Sequence, residues 1–518
     1  MRSELLPVLL ALGCVITLSA PRLRADARPA ALFTDHTVLQ RDTAIPIWGT
    51  AKRGEPVTVS FAGQRISTKA DRDGRWRVDL APLPANATPA DLLVKGRRNT
   101  VTLRDVLVGD VWLCSGQSNM EWPVRLCAQA DAEIAAAQLP LIRHYKVANQ
   151  MAHGRPADDV QGGWSVCSPE TAPHFTAIGF FFARELHREL RVPIGLLNVS
   201  WGGTPIESWL SPRMLAATPH AAAVASAWAK TVAEYPEKKA AHDRAVAEWE
   251  QRAAAAKAAG RPEPGDHPWR PAGPGLPEEP SVLWHGMVAP VAPYGIRGFL
   301  WYQGESNVGR ATEYRDLFPA LIDGWRTAWA RPEAIATAPL PFLFVQLPNY
   351  ADRNPGGDAW ARLREAQTAA LALPATGMAV ALEQGESDNL HPTRKQEIAR
   401  RLALVARVQV YGEGLDHSGP VFESASLEAD GSIRIRLRHA DVGLVCRGPR
   451  LRGFQIAGAD RVFQTAEATI EGDTVVVRSK AVPAPLAVRY GFVNDPQPPA
   501  NLYNGAGLPA APFRTDRW

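Results

Sequence analysis

Apolar and polar positions alternate in short runs through the first part of the chain. Between about residues 31 and 107 such runs fall at 45–49, 57–61, 76–80 and 101–108, the third following the turn Asp71-Arg72-Asp73-Gly74. Period-two stretches separated by turn residues predict strands, and this many in so short a span predict a small β-sandwich. From Val111 the pattern changes. Continuous apolar runs at 111–114, 194–199, 298–302, 342–346 and 378–382 alternate with helical patterns as far as about Val410, which predicts a parallel sheet wrapped by helices. Beyond about Ser418 short strands return at 433–437, 474–477 and 487–492. The expected organisation is an N-terminal β-sandwich over 28–107, an α/β domain over 108–415 and a C-terminal β domain over 416–518.

Two segments stand outside this plan. Residues 214–280 interrupt the α/β pattern, Ala/Glu/Lys-rich and helical over 221–259, then Pro/Gly-rich over 261–280. They read either as a surface helical hairpin with a loop or as a lid that shapes a cleft. At the start, Arg2, the apolar run 5–20 and the small residues around Ala25-Asp26-Ala27 have the three-part layout of a secretory signal peptide over 1–27. This predicts export to the periplasm or the medium; lipidation at Cys14 is the alternative. No later stretch has the roughly 20 apolar residues a spanning helix needs, so no stable membrane insertion is expected.

Composition narrows the function. With 46% hydrophobic and 21% charged residues the chain can bury a large core. A net charge of +4 without basic clusters gives no nucleic-acid surface. The sixteen Trp exceed the nine Tyr, and Trp faces are useful against sugar rings as well as in cores. Cys114, Cys127, Cys167 and Cys446 would remain after cleavage, without a CxxC pair or a nearby His at ligand spacing. No metal site is expected; disulfides and buried free thiols both stay open.

Four separated segments could assemble an activated hydroxyl. A serine becomes a good nucleophile only when a base takes its proton, a carboxylate fixes that base, and donors await the oxyanion. Gly116-Gln117-Ser118-Asn119-Met120 ends the apolar strand 111–114, which would place Ser118 at the carboxyl edge of the sheet, where open α/β folds carry their sites. Asp388-Asn389-Leu390-His391-Pro392 sets a carboxylate three residues before a histidine, ahead of the helical run 395–405. Asp388 could then reach Nδ1 of His391 and leave Nε2 facing Ser118. Asn198-Val199-Ser200-Trp201-Gly202-Gly203-Thr204 also ends a strand, its glycines allowing close approach of backbone amides. Trp301-Tyr302-Gln303-Gly304-Glu305-Ser306-Asn307 offers Gln303 as an amide donor; Glu305 could instead be read as a glycosidase-type acid, but no partner carboxylate stands at a comparable strand end.

With these residues in view, the chain resembles the sialate O-acetylesterase-like family of SGNH hydrolases. The resemblance rests on 109–122 around Ser118, on 200–209 around Gly202-Gly203, on Trp301 to Asn307 and on His391-Pro392, with further matches at 38–42 and 501–516. It implies a flavodoxin-like αβα core with flanking β-sandwich-type domains, no cofactor, and an acetylated sugar or oligosaccharide as substrate. It also implies Ser118 as nucleophile, His391 as proton relay and Asp388 as its orienting acid. The oxyanion donors would be the Ser118 and Gly203 amides and the Gln303 side chain, with Gly202 able to replace Gly203 and Glu305 a supporting residue fixing Gln303. The segment His285-Gly286-Met287 departs from the Asn-Gly-Met common in the family. Sialic acid O-acetyl groups and acetylated hemicellulose oligosaccharides both fit, the former wanting an arginine such as Arg125, Arg143 or Arg310. A non-catalytic carbohydrate-binding protein and a short-chain lipid esterase are the competing readings.

Overall fold

The computed structural model describes residues 26–518 except 263, 266, 331–338 and 355. The expected leader at 1–27 therefore lies almost wholly outside the described residues.

Seven strands form the centre of the molecule: β1 (Thr100–Gly116), β2 (Leu139–Lys146), β3 (Trp164–Cys167), β4 (Ile194–Ser200), β5 (Gly298–Tyr302), β6 (Phe342–Val345) and β7 (Thr376–Ala379). They lie in the order β3-β2-β4-β1-β5-β6-β7, all neighbours parallel except β3, which runs antiparallel to β2. Strands β4, β5, β6 and β7 are buried at every position. This is why they read as unbroken apolar runs: helices cover both faces of a parallel sheet. Setting aside β2 and β3, the order β4-β1-β5-β6-β7 is that of a flavodoxin-like, doubly wound sheet, with its switch of direction at β1.

Strand β1 does more than the sequence pattern suggests. Its seventeen residues cross the expected boundary at 107/108 without a break. The first half pairs with Asn86–Lys95 and, in parallel, with Val38–Gln40; the second half is the middle of the α/β sheet. Asp105, at φ 56°, accommodates irregular pairing along the way. A separate three-stranded sheet of Arg28–Pro29, Ile45–Thr50 and Arg75–Leu80 completes the N-terminal part. The carboxylate of Asp110, wholly buried in β1, accepts from Arg41, Arg297 and the Tyr411 hydroxyl at 2.9–3.0 Å. The two arginines hold its pKa down against burial.

The helices that matter for the site are α1 (Ser118–Glu121), α2 (Ala177–Leu190), α3 (Ala221–Ala258), α4 (Ala311–Trp329), α5 (Ala359–Ala369) and α6 (Lys395–Gln409). The segment expected as a helical hairpin is one 38-residue helix, α3, followed by irregular chain. Only Val224 and Ala256 on α3 are buried. Its many Ala, Glu and Lys residues sustain a helix whose packing is sparse. C-terminal to α6 are two four-stranded antiparallel-paired sheets and a short pair, Leu444–Cys446 with Leu502–Asn504.

One cation fastens this last region to the core. Arg364 of α5 is fully buried and donates to four carbonyls, those of Leu347 and Pro348 on one side and Val493 and Asn494 on the other, at 2.6–2.9 Å. Burial lowers its pKa, which remains well above neutrality. Arg364→Ala would leave those carbonyls dry and unpaired, and is expected to cost about 3–5 kcal/mol in urea unfolding, where an exposed arginine such as Arg65 should cost under about 0.5 kcal/mol.

Candidate active site

The pairing register brings three strand ends to one level. Gly116 lies opposite Ser200 of β4 and opposite Tyr302 of β5, so the loops starting at Gln117, Trp201 and Gln303 emerge side by side at the carboxyl edge. Gly116 sits at φ 134°, and a Cβ there would lie 2.1 Å from the Tyr302 carbonyl oxygen. Only glycine fits. The chain then turns sharply into α1, whose first residue is Ser118. The Ser118 amide, at the helix start, has no acceptor within the helix.

His391 Nε2 lies 2.8 Å from Ser118 Oγ. Its ring is stacked on Trp122, with centroids 4.7 Å apart and planes 18° from parallel, and its backbone N–H donates to Asn389 Oδ1 at 3.0 Å. Glu386 steadies this loop by accepting from the Thr393 amide, the Thr393 hydroxyl and Asn389 Nδ2 at 2.7–2.8 Å. Asp388 is not joined to the pair. It is exposed and lines a cavity beside the loop with Glu386, Arg394 and Gln497. No hydrogen bond among the described residues connects it to His391.

The glycine loop gives a definite geometry. Gly202 packs against Ser118, such that a Cβ on it would lie 3.2 Å from Ser118 Cβ, and its N–H donates to Glu121 Oε2 at 2.7 Å. That amide is already used, so it does not replace its neighbour. Gly203 is exposed, at φ 75°, and its amide has no acceptor among the described residues. Glu121 also takes Lys146 Nζ at 3.0 Å, and Lys146 reaches the Ser200 carbonyl at 2.6 Å. Glu121 and Lys146 thus clamp the turn that packs Gly202 against Ser118 and leaves Gly203 exposed.

Gln303 occupies a different place from that expected. It is completely buried, and its amide nitrogen donates to the Thr204 carbonyl at 3.3 Å and to Asn307 Oδ1 at 2.8 Å. Both amide hydrogens have acceptors within the protein, so Gln303 ties the glycine loop to the β5 loop. Asn307, not Glu305, fixes it, and Asn307 is held in turn by Glu207 at 3.0 Å. Glu305 accepts from Asn119 Nδ2 at 2.5 Å instead. Asn119 also binds the Leu390 carbonyl at 3.1 Å and, through Oδ1, Lys395 Nζ. The sequence reading missed this Lys395–Asn119–Glu305 chain. Its members are 186 and 276 positions from Asn119, and the only clue was that Asn119 follows the serine while Lys395 heads the helix after His391.

The electrostatics favour a neutral base. Burial lowers the His391 pKa, and the nearby Lys395 charge lowers it further. Fully buried Lys395 is itself pushed down to about 7, and burial raises the Glu305 carboxyl. His285 is buried, its backbone carbonyl accepting from the Ala157 amide at 2.9 Å. Arg143 is buried against Asp105 at the far end of β1; Arg310 is paired with Glu207; Arg125 is exposed. Among the described residues no group of three or more His, Cys, Asp or Glu could hold a metal ion.

Comparison with known proteins places this arrangement. The human sialate O-acetylesterase is 33% identical over 437 residues, covering 78% of this chain and 75% of that protein, and the rat enzyme is 33% identical over 439 residues with 78% of each covered. The chain belongs to the sialate O-acetylesterase family. Residues 284–406 match the family model for carbohydrate esterase, sialic acid-specific acetylesterase. A crystal structure of a carbohydrate acetylesterase from Xanthomonas citri superposes with a TM-score of 0.80 at 36% identity, covering 95% of this chain and all of that one. The α/β architecture is therefore that of a solved carbohydrate esterase.

Two outcomes test the site's wiring. A base must be neutral to accept a proton, so a lowered His391 pKa puts the acid limb of kcat/KM below the ordinary histidine value of about 6.5. Lys395 is charged in that range, and Lys395→Met should raise the His391 pKa and move the limb to higher pH. Glu121→Ala releases the Gly202 turn, and should lower kcat on a simple acetate ester about tenfold to a hundredfold with little change in KM, the pattern expected of an oxyanion donor at Gly203.

Proposed function

We propose that the protein is a serine esterase that removes O-acetyl groups from carbohydrates through an acetyl-Ser118 intermediate. The observation that carries this reading is the 2.8 Å contact of His391 Nε2 with Ser118 Oγ at the switch point of the sheet. The names of its relatives, sialate O-acetylesterase and carbohydrate acetylesterase, point to the same bond.

In this mechanism the Ser118 hydroxyl passes its proton to His391 as Oγ attacks the acetyl carbonyl. The oxyanion is met by the Ser118 and Gly203 amides. His391 returns the proton to the departing sugar oxygen, leaving acetyl-Ser118. Water, deprotonated by His391, then releases acetate and restores the serine. Gln303 acts by holding the Gly203 loop through Thr204 and not by touching the oxygen. Asp388 is assigned the orienting role: it lies on the His391 loop, and Glu386 is occupied by Thr393 and Asn389.

We further propose that the chain is exported and acts on extracytoplasmic sugars, a reading supported by the three-part layout of residues 1–27. The test is acetate release from 9-O-acetyl sialic acid, acetylated xylo-oligosaccharides and an aryl acetate. Ser118→Ala should abolish release from all of them. Wild-type turnover in that variant would end the serine mechanism, and sugar binding without release by the wild type would favour the binding-protein reading. Asp388→Asn should reduce kcat at least about tenfold, but less than His391→Ala does; an unchanged kcat would leave a Ser118–His391 pair working without it.

A further inference from the structure

The interrupting segment comes back to the catalytic loops. A cavity of about 350 Å³ opens beside Gly203, with Pro205 and Ser306 from the loops on one wall. Val224, Ala227, Trp228 and Thr231 of α3 form the facing wall. They recur at the i, i+3, i+4, i+7 spacing of one helical face. This is the part of α3 that turns toward the body of the protein, for among its 38 residues only Val224 here and Ala256 far along are buried. Ala272, Glu278 and Pro280 of the Pro-rich stretch close the side.

We propose that this cavity is the binding subsite for the sugar part of the substrate, with Trp228 as its stacking platform, and that it takes an uncharged pyranose. The proposal rests on the esterase reading given above, and it extends that reading by assigning the ligand site to the inserted helix. The volume lies in the range of small-molecule sites, about 300–1,000 Å³. Its position is right for the alcohol side of the ester, since it begins at Gly203, next to the residue packed on Ser118. Trp228 is half-buried, leaving indole surface for the apolar face of a sugar ring, while polar groups around the rim suit its hydroxyls.

Charge decides the class of sugar. Each ionic side chain lining the cavity already faces its opposite. Both terminal nitrogens of Arg310 lie against the Glu207 carboxylate, and Glu207 also holds Asn307. Both oxygens of Glu278 are taken by Arg270, at 2.7 and 3.1 Å. Among the described lining residues no cation is left over for a substrate carboxylate. A sialic acid entering here would have to break the Arg310–Glu207 pair, whose carboxylate is buried, or set its own carboxylate near Glu278.

The experiment uses the full-length protein with Trp228→Ala, Trp228→Phe and, as control, Lys230→Ala on the exposed side of α3. Two quantities are measured. The first is kcat/KM on acetylated xylo-oligosaccharide relative to aryl acetate; the second is calorimetric binding of the deacetylated oligosaccharide in a Ser118→Ala background. Trp228→Ala should lower the ratio and weaken binding about tenfold, the loss expected for one stacking contact of about 1.4 kcal/mol. Phe should recover part of both, and Lys230→Ala should change neither. Binding unaltered by Trp228→Ala would overturn the subsite. Binding lost in that variant, with no acetate released by the wild type, would keep the subsite and discard the esterase. The wild type should also favour the xylo-oligosaccharide over 9-O-acetyl sialic acid at least tenfold in kcat/KM, and an equal or reversed preference would overturn the uncharged ligand.

Discussion

Everything at the site depends on the register that sets Gly116 opposite both Ser200 and Tyr302. Parallel strands cannot slide by one residue without turning every side chain to the wrong face, and β1 is held in place over its whole length. Its first half is anchored in the N-terminal sheet, its middle by Asp110 and two arginines, and its end by β4 and β5 on either side. The serine, the glycine turn and the Gln303 loop are thereby fixed relative to one another before any side-chain contact forms. The accessory β region at the N-terminus is part of the same strand that leads into Ser118, so it acts as the mount for the Ser118–His391 contact.

A second layer of contacts turns these loops into a site. Glu121 ties the serine helix to the glycine turn, Gln303 and Asn307 tie that turn to the β5 loop, and Asn119 with Lys395 ties the serine helix to the histidine loop. Gln303, Asn307, Asn119 and Lys395 are buried, so losing one of their hydrogen bonds would be costly; the Glu121 link is partly exposed. The same burial that makes the links strong keeps the imidazole neutral and the lysine close to losing its proton.

Much of this was legible from the chain. The strand of 298–302 matched Gly298–Tyr302, and the run at 194–199 fell one residue short of Ile194–Ser200, because strands buried on both faces are predominantly apolar. Ser118 and His391 were visible because their neighbours are unusual. What stayed hidden depends on distant partners. Nothing in Asn198 to Thr204 says that the Gly202 amide is taken by Glu121, and nothing in Trp301 to Asn307 says that Gln303 looks inward. The three-residue spacing of Asp388 and His391 permits a contact that the loop, pinned by Glu386, does not make here. For 214–280, composition gave helix but not the single helix that replaces the hairpin, since helix propensity says little about where an Ala-rich segment turns back.

Arg364 bears on how such a molecule is assembled and taken apart. Its guanidinium divides its donors between Leu347–Pro348 and Val493–Asn494, so a loop of the C-terminal region furnishes half the solvation of a charge seated just beyond the end of β6. A chain ending where the α/β pattern ends would have to drown that cation or expel it. The places where sequence character changes are thus poor places to cut the protein, and the C-terminal region works as an internal solvent for the enzyme's core, not as an appendage that evolution or a protein engineer could exchange at will.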